Sequence, residues 1–227
     1  MKAIILAAGV GSRLGKPYPK SMNVLPNGET ILGRQIRIFR QNNIREIYIV
    51  VGFKLHLIME KYPDVYYKYN PIYYITNTSK SLLMGIEDIN DDVIWTNGDV
   101  IFDERIIEKM VMGSGNKVAV NRSKCDSEEV KYICDENGDI LQISKEIKNA
   151  HGEAVGINKI SKKDIDCLKN SLHKCNDNDY FEKGLEYIIE DGKKIQAIDI
   201  SDYRCIEVDF QEDWDLAKQL FRIEKRY

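Results

Sequence analysis

Apolar and polar positions follow two different periods along the first half of the chain. The run "AIILAA" ends at Gly9 and is apolar throughout, which is typical of a strand buried on both faces of a sheet. The segment "TILGRQIRIFRQNNI" places its apolar residues at helical spacing, and Thr30 at its start is a typical N-cap. Strands are also predicted at "EIYIVVG", "VYYKYN" and "DVIWTNGD", and helices at "KLHLIMEKY" and at "SKSLLMGIEDI", the latter capped near Ser79. Strands that alternate with helices in this way predict right-handed crossovers and a parallel sheet with both faces covered.

The pattern changes near Asn116. Extended segments follow at "NKVAVNR", "EVKYICDENGDILQISK" and "GEAVGINKIS", and the tight turn "ENGD" predicts a hairpin. Helices are then predicted at Lys162–Ser171 and Tyr180–Asp191, strands at "KIQAIDI" and "RCIEVD", and a last helix at "QEDWDLAKQLFRIEK". The expected fold class is α/β, with a Rossmann-like, mixed but mainly parallel sheet flanked by helices and a small β-hairpin insertion in the second half. We expect one domain over 1–227 with two halves, 1–115 and 116–227.

Composition and charge exclude several classes of protein. The 227 residues are 43% hydrophobic and 30% charged, which is ordinary for a globular protein with a real core. The formal net charge of -3 argues against binding of nucleic acid through a basic surface. No apolar run approaches the roughly 18 residues of a membrane span, and the first run is too short for a signal-peptide core of about 7–15 residues. The five cysteines are scattered without a C-x-x-C pair, so we expect reduced thiols in a cytoplasmic protein, and neither a zinc site nor a disulfide framework.

The loop after the first strand carries candidate phosphate chemistry. Ligands of a doubly wound sheet bind beyond the carboxyl ends of its strands, and "LAAGVGSRL" lies at such an end. Gly9 and Gly11 would let backbone N–H groups approach a phosphate, and the Arg13 guanidinium can bind phosphate oxygens in a bidentate manner. Two glycines alone are weak evidence, so an ordinary strand-to-helix turn stays open at this point.

Two common phosphate-binding motifs do not fit this loop. The Walker motif G-x-x-x-x-G-K-[ST] is absent. The dinucleotide motif requires a third glycine, but Leu14 stands in its place, and two prolines in "KPYPKSM" interrupt the helix that should follow. A nicotinamide-dependent oxidoreductase would also need an acidic residue after the second strand, where "IVVGFK" has Gly52 and Phe53. The sequence therefore disfavours that class of enzyme.

The same loop resembles the opening signature of the nucleotidyltransferases that activate sugar phosphates and phosphocholine, which is L-A-A-G-x-G-x-R-L followed by P-K. The matching positions are Leu6, Ala7, Ala8, Gly9, Gly11, Arg13, Leu14, Pro19 and Lys20. Four later segments resemble family landmarks in the family's order: "NPIYYITNTSKSLLMGIED", "WTNGDVIF", "HGEAVGINKIS" and "IEVDFQEDWDLA". The resemblance therefore covers nearly the whole chain.

The resemblance implies an enzyme that transfers a nucleotide from a nucleoside triphosphate to a small phosphorylated acceptor, with Mg²⁺ as cofactor and pyrophosphate as the second product. The short segment between Arg13 and Lys20 and the compact second half are closer to the small cytidylyltransferases acting on phosphocholine or phosphoglutamine. We therefore expect CTP as the nucleotide and favour phosphoglutamine, a precursor of capsular phosphoramidate, as the acceptor. Residues 1–115 would bind the nucleotide and 116–227 the acceptor. Neither nucleic acid nor membrane is an expected partner, and the protein is expected to be a monomer or a homodimer.

Asp99 and Asp209 are the candidate metal ligands. Each follows an apolar strand, and Mg²⁺ prefers one or two carboxylates together with substrate phosphate oxygens. The alternative is that each aspartate only caps the next helix, and for Asp209 the neighbours Asp213 and Asp215 are rivals. The presence of both aspartates argues against a non-catalytic nucleotide-binding module.

Basic residues complete the predicted catalytic set. Two anions approach each other when an acceptor phosphate attacks the α-phosphorus, so cations must neutralise them. The resemblance assigns this role to Arg13 and Lys20, while Asp99 and Asp209 hold the metal, and Lys16 is a weaker candidate. No protein nucleophile is required, because the acceptor phosphate attacks directly.

The resemblance also implies two sets of binding residues. The expected nucleotide contacts are Leu6, Ala7, Ala8, Gly9, Gly11, Ser12, Arg13, Asn77, Ser81 and Gly98. For the polar residues after Thr76, a helix-capping role is compatible with base recognition. The expected acceptor contacts are Lys20, Lys145, Glu153, Tyr180 and Glu182, whose acids and ring suit the amine end of phosphocholine or phosphoglutamine. Phosphocholine cytidylyltransferase and sugar-1-phosphate uridylyl- or thymidylyltransferase stay open as alternatives.

Overall fold

A computed structural model of the chain describes residues 1–11, 18–122 and 129–222. The strands are β1 (Lys2–Ala7), β2 (Ile47–Val51), β3 (Tyr66–Tyr69), β4 (Val93–Asn97), β5 (Val100–Phe102), β6 (Asn116–Asn121), β7 (Lys131–Cys134), β8 (Ile140–Ser144), β9 (Gly152–Ile160), β10 (Ile195–Asp199) and β11 (Cys205–Glu207). The α-helices are α1 (Ile31–Gln41), α2 (Leu55–Lys61), α3 (Thr78–Ile86), α4 (Glu104–Val111), α5 (Ile165–Lys174), α6 (Phe181–Glu190) and α7 (Gln211–Leu220). Short 3-10 helices lie at Lys20–Met22 and Lys162–Asp164.

The main sheet has the strand order β10-β6-β9-β4-β1-β2-β3. The pairs β4–β1, β1–β2, β2–β3 and β10–β6 are parallel, whereas β9 runs antiparallel to both β4 and β6. The hairpin β7–β8 attaches to the start of β9. The sheet takes strands from both halves of the chain, and the predicted mixed, mainly parallel sheet with a hairpin in the second half is confirmed.

A second, two-stranded sheet joins distant parts of the chain. Strand β5 follows β4 after a tight turn and pairs antiparallel with β11, near the C-terminus. The sequence did not predict β5 as a strand, because its three residues follow β4 too closely to show a period of their own. This ribbon positions the candidate site, as described below.

Helices cover both faces of the main sheet. Because β1 is buried on both sides, Ile4 and Leu6 pack into one core under α3, α5 and α6, while Ala3 and Ile5 pack into the other under α1 and α4. The ring of Trp95 meets the Phe181 ring edge-to-face at a centroid distance of 5.7 Å in the first core. A third cluster forms where α7 packs on the ribbon and α1. This packing leaves the carboxyl ends of β1 and β4 as an open edge.

Most predicted boundaries hold, with three corrections. Thr30 caps α1 as expected, and its side chain accepts a hydrogen bond from the N–H of Gly33 at 2.9 Å. The predicted cap of α3 at Ser79 is wrong, because Asn77 caps the helix and Ser79 lies in its first turn. The helix predicted over Lys162–Ser171 begins as a 3-10 turn before α5, and the last helix ends at Leu220. None of the helices in the described ranges is long and apolar enough to cross a membrane.

Candidate active site

The candidate site lies where the parallel strands β1 and β4 end side by side. The turn between β4 and β5 begins with Gly98, whose N–H donates to the carbonyl of Leu6 at 2.9 Å. A Cβ atom at Gly98 would lie only 2.8 Å from that carbonyl oxygen, so glycine is required for this close approach. The contact places the next residue, Asp99, at the edge of the sheet beside the end of β1.

The β5–β11 ribbon brings the two predicted metal ligands together. Val100 lies opposite Glu207 in the antiparallel register, so Asp99 comes next to Val208, whose N–H donates to the Asp99 carbonyl at 3.1 Å. Asp209 follows directly. The pairing therefore explains how two aspartates separated by more than a hundred residues come to face the same space.

Lys20 connects these aspartates. Its Nζ atom lies 3.4 Å from Oδ2 of Asp99 and forms a second, closer ion pair with Oδ1 of Asp209. Burial alone would lower the pKa of Lys20, but the two carboxylates outweigh burial and raise it, so the side chain stays an ammonium. The structure thus brings together three of the four residues of the predicted catalytic set. The fourth, Arg13, lies outside the described residues.

The helix-capping alternative does not apply to either aspartate. Asp99 lies between two strands, and Asp103 is the residue that caps α4. At the start of α7, the Asp213 carboxylate accepts hydrogen bonds from two backbone N–H groups at 2.7 and 3.0 Å and so performs the capping. Asp215 forms an ion pair within α7. Both rivals of Asp209 are therefore engaged elsewhere.

Carboxylates that face the same space as Lys20, called the cleft below, repel one another. Burial raises the pKa of Asp99; the Lys20 ammonium opposes this shift, and the Asp209 carboxylate adds to it. Glu207, at the end of β11, is exposed to solvent. The surrounding protein still removes part of its hydration, and this desolvation, followed by the charges of Asp99 and Asp209, raises the pKa of Glu207 well above its ordinary value. Lys20 pairs with Asp99 and Asp209, and Glu207 adds a third acid beside them, so the three acids repel one another when charged and a further cation would relieve this repulsion.

This donor set fits a magnesium ion. Among residues 1–11, 18–122 and 129–222, no group of three or more His, Cys, Asp or Glu side chains forms a closed metal site. Mg²⁺ does not need one, because it is usually held by one or two carboxylates and completes its shell with water and substrate phosphate oxygens. The Lys20 ammonium already shows that a positive charge is favourable between Asp99 and Asp209.

The glycine loop packs directly on Lys20. Gly11 has a φ of +64°, and a Cβ atom there would lie 2.6 Å from Cγ of Lys20. The carbonyl of Ala8 accepts from the N–H of Phe53 at 3.0 Å, which fixes the direction of the loop. The N–H groups of Gly9 and Gly11 donate no hydrogen bond to the described part of the chain, so they are available to a ligand. The predicted contact Ser12 is outside the described residues.

The predicted polar contacts of the nucleotide are tied to structure around α3. The Asn77 side chain accepts from the N–H of Thr78 at 2.8 Å and donates to the carbonyl of Asn178 at 3.3 Å. Ser81 is buried, and its hydroxyl accepts from the amide of Asn70 at 3.0 Å. The capping role of Asn77 is confirmed, while nucleotide contact by Asn77 and Ser81 stays a prediction.

Three of the predicted acceptor residues, Lys145, Tyr180 and Glu182, lie near one another. The Lys145 ammonium lies 4.5 Å from the centroid of the Tyr180 ring. Glu182, in the first turn of α6, is only 8% exposed, and burial raises its pKa to about 7 despite the opposing charge of Lys145. Glu153 on β9 accepts from the Asn121 amide at 3.3 Å. The charge of Glu182 also raises the pKa of Glu207, which places the two acids near each other.

Sequence reasoning missed Glu207. It directly follows the apolar pair Cys205–Ile206 and precedes Asp209 by two residues, so the alternation in "CIEVD" carries the signal that both acids lie on one side of β11. Without knowing that β11 pairs with β5, this side could not be assigned to the cleft.

Comparison with known proteins agrees with this geometry. Residues 3–153 match the family model of the MobA-like NTP transferase domain. The chain is 30% identical over 132 residues to the CMP-5'-(3-aminopropyl)phosphonate synthase of Streptomyces rubellomurinus, covering 54% of this chain and 21% of that protein. It is 26% identical to the CTP:phosphoglutamine cytidylyltransferase of Campylobacter jejuni, covering 95% of this chain and 98% of that protein. The first curated relatives are longer, and the chain spans between about a fifth and about half of their length.

Solved structures share the fold. The inositol-1-phosphate CTP transferase from T. maritima superimposes with a TM-score of 0.81 at 16% identity, covering 97% of this chain and 96% of that one. The CTP:phosphocholine cytidylyltransferase from Streptococcus pneumoniae gives a TM-score of 0.77 at 18% identity, covering 97% of this chain and 99% of that one. The predicted resemblance and fold class are therefore confirmed. Because the family model matches residues 3–153, about two thirds of the sequence, the chain belongs to the family of the MobA-like NTP transferase domain.

Proposed function

We propose that the protein is a magnesium-dependent cytidylyltransferase that joins CMP from CTP to a small phosphorylated acceptor and releases pyrophosphate. The observation that carries the proposal is the Lys20 ammonium between Asp99 and Asp209, beside the Gly9–Gly11 loop. A transfer between two phosphates needs cations and N–H donors at one place, and this edge of the sheet supplies both.

The choice of CTP is supported by the relatives. The Campylobacter enzyme, which aligns over nearly its whole length, is named for CTP, and so are both structural neighbours. The loop at the end of β1 offers unpaired N–H groups, and backbone groups of this kind can bind the edge of a pyrimidine or its phosphates. UTP and dTTP remain the alternatives that the experiment below separates.

The proposed reaction is a single displacement. An oxygen of the acceptor phosphate attacks the α-phosphorus of CTP, the bond from that phosphorus to the bridging oxygen breaks, and pyrophosphate leaves with the electron pair. Bound Mg²⁺, held by Asp99 and Asp209, would supply positive charge to the phosphates. Lys20 then loses its carboxylate partners and its ammonium binds phosphate oxygens, while Gly9 and Gly11 donate N–H groups. Arg13, carried over from the family signature, adds a second cation.

The acceptor side favours a molecule with an amine. The acids Glu182 and Glu207 lie there together with the Tyr180 ring, and a protonated amine would stabilise the charged forms of these acids and pack on the ring. Phosphoglutamine carries such an amine, and Lys145 would meet its carboxylate. Phosphocholine satisfies the acids equally but has no carboxylate for Lys145. With phosphoglutamine as acceptor, the product would serve the assembly of capsular phosphoramidate.

The test is pyrophosphate release from each of the four ribonucleotides and dTTP, paired separately with phosphoglutamine, phosphocholine and glucose 1-phosphate. Each reaction is run with Mg²⁺ and again with excess EDTA. Metal-dependent release with CTP and one amine-bearing acceptor supports the proposal and identifies the acceptor. Release only with UTP or dTTP and glucose 1-phosphate would replace it with the sugar-activating function, and release that EDTA leaves unchanged would remove the metal from it.

A further inference from the structure

Gln35 on α1 is buried next to the turn that carries Asp99. Its side chain is only 1% exposed, and it donates from Nε2 to the carbonyl of Asn97 at 2.9 Å and to the carbonyl of Val100 at 2.7 Å. These carbonyls lie on either side of Gly98 and Asp99. A single amide group of α1 therefore binds both ends of the turn between β4 and β5.

The orientation of this amide is fixed by its partners. Because both neighbouring atoms are carbonyl oxygens, the amide nitrogen and not its oxygen must face them. The remaining atom, Oε1 of Gln35, is buried without a hydrogen-bond partner among the described residues. A buried acceptor without a partner costs free energy, on the order of 1–3 kcal/mol. An apolar residue at this position would avoid that cost. The presence of an amide is therefore explained by the two N–H groups of its Nε2 atom, which bind the carbonyls of Asn97 and Val100.

The turn is then held from three sides. Gly98 donates to Leu6 of β1, Val208, the residue after β11, donates to the Asp99 carbonyl, and Gln35 of α1 donates to the two flanking carbonyls. The first two contacts fix the backbone along the sheet. The Gln35 contacts come from a separate element, α1, and oppose rotation of the turn, which would move the Asp99 carboxylate away from Asp209 and Lys20.

We propose that Gln35 is a positioning residue of the metal site, whose amide holds the Asn97–Val100 turn so that Asp99 and Asp209 face one cation. This inference rests on the proposed function in so far as that function requires a metal at Asp99. It predicts an effect on metal binding in the free protein, before any nucleotide or acceptor is present.

The experiment titrates the free protein with Mn²⁺ and follows free Mn²⁺ by electron paramagnetic resonance. Gln35→Met has a similar shape and removes both donors, and we expect it to bind Mn²⁺ roughly 10- to 100-fold more weakly than the unaltered protein. The matched control is Arg34→Met on the same helix, which removes two hydrogen bonds to the Phe102 carbonyl, of 2.9 and 3.1 Å, without touching the turn. We expect its affinity for Mn²⁺ to be unchanged.

Two further variants separate positioning from general stability. Gln35→Glu, protonated in the core, keeps one donor and should show intermediate affinity, and it serves if Gln35→Met does not fold. In an Asp99→Asn background, Gln35→Met should have no further effect on Mn²⁺ binding. Equal weakening by Gln35→Met and Arg34→Met, or a full effect of Gln35→Met without Asp99, would show a merely structural role and overturn the inference.

Failure of the proposed function gives a different result. If Mn²⁺ binding depends on Asp99 and is weakened by Gln35→Met, but no nucleotide and acceptor pair releases pyrophosphate, the proposed reaction falls and the role of Gln35 stands. If Mn²⁺ binding does not depend on Asp99, there is no metal ligand for Gln35 to position, and the inference falls whatever the turnover.

Discussion

The ammonium of Lys20 lies 3.4 Å from a carboxylate oxygen of Asp99, which lies in the turn between β4 and β5. The two groups stabilise each other's charged forms against burial, since each would otherwise be disfavoured in the cleft. Each group of this ion pair can also bind a different partner. A divalent cation would take the carboxylates, and the released ammonium would be free for a phosphate. The resting ion pair thus keeps the Lys20 side chain an ammonium and opposes the rise in the pKa of Asp99.

Replacing Asp99 by asparagine should remove activity and leave the fold intact. The carboxylate is proposed to hold the metal, so we expect kcat to fall roughly 10²- to 10³-fold or more. The melting temperature should not fall, because burial, followed by repulsion from Asp209, disfavours the charged carboxylate of Asp99 more than the Lys20 ammonium stabilises it. Steady-state rates and thermal melts measure both effects.

The control for this variant is Asp103→Ala, four residues away. Asp103 caps α4, so its loss should cost about 1 kcal/mol of stability while activity persists. An Asp99→Asn protein that still turns over at the normal rate would show that Asp99 does not hold the metal.

Replacing Lys20 by methionine should separate metal binding from turnover. The variant lacks the ammonium that neutralises Asp99 and Asp209, so Mn²⁺ should bind the free protein more tightly, whereas kcat should fall because the phosphates lose a cation. Electron paramagnetic resonance and steady-state kinetics measure the two quantities. Lys2→Met, which removes a surface ion pair with Glu46, is the control and should change neither. Weaker Mn²⁺ binding by Lys20→Met would contradict the shared-charge account of the cleft.

Periodicity and motif spacing predicted the sheet, most helices and the central triad of the site. The run at 3–8, Thr30 as a cap and the alternation of elements suffice for the architecture, since each reflects local burial or local hydrogen bonding. Asp99 and Asp209 are predicted because ligands bind at the carboxyl ends of strands, whereas Lys20 is predicted because it matches the P-K of the family signature. For the two aspartates, the predicted ends of the strands suffice to place them at the edge of the sheet.

Glu207 and Gln35 could not be predicted, for a different reason. Their roles depend on the pairing of β5 with β11 and on the packing of α1 behind the β4–β5 turn. Both are contacts between distant segments, and the three residues of β5 are too few to show a period. In "TILGRQIRIFRQ", Gln35 occupies an apolar position of the helix pattern, and this exception was the available signal.

Gly11→Ala should impair the enzyme through Lys20. Any Cβ at Gly11 would lie 2.6 Å from Cγ of Lys20, and the φ of +64° is strained for a residue with a side chain. We expect a higher KM for the nucleotide and a lower kcat. The matched control is Gly28→Ala, where φ is +84° but no atom lies within 4 Å of the new Cβ, so the cost should be one of stability alone, about 1 kcal/mol. Equal activity in the two variants would show that the loop does not constrain Lys20.

Glu182 should make the stability of the protein depend on pH between about 4.5 and 7. Burial raises the pKa of Glu182 from 4.5 to about 7, and the nearby charge of Lys145 opposes this rise, while the acid Glu207 also lies near it. Because the folded state holds this proton more tightly than the unfolded chain, the contribution is present below pH 4.5 and is lost as the pH rises to 7. The full loss is about 3 kcal/mol.

Glu182→Gln is neutral at every pH and should abolish that loss. Denaturant unfolding should therefore show the variant more stable than the unaltered protein at pH 8 and equally stable at pH 4.5, while its KM for an amine-bearing acceptor rises at pH 8 because the carboxylate is gone. Glu186→Gln, on the same helix but paired with Lys183 at 2.7 Å, is the matched control and should keep the pH dependence. Unfolding curves of Glu182→Gln that follow the unaltered protein at every pH would show that this acid is not held neutral in the cleft. A KM that stays the same would show that its charge does not bind the acceptor.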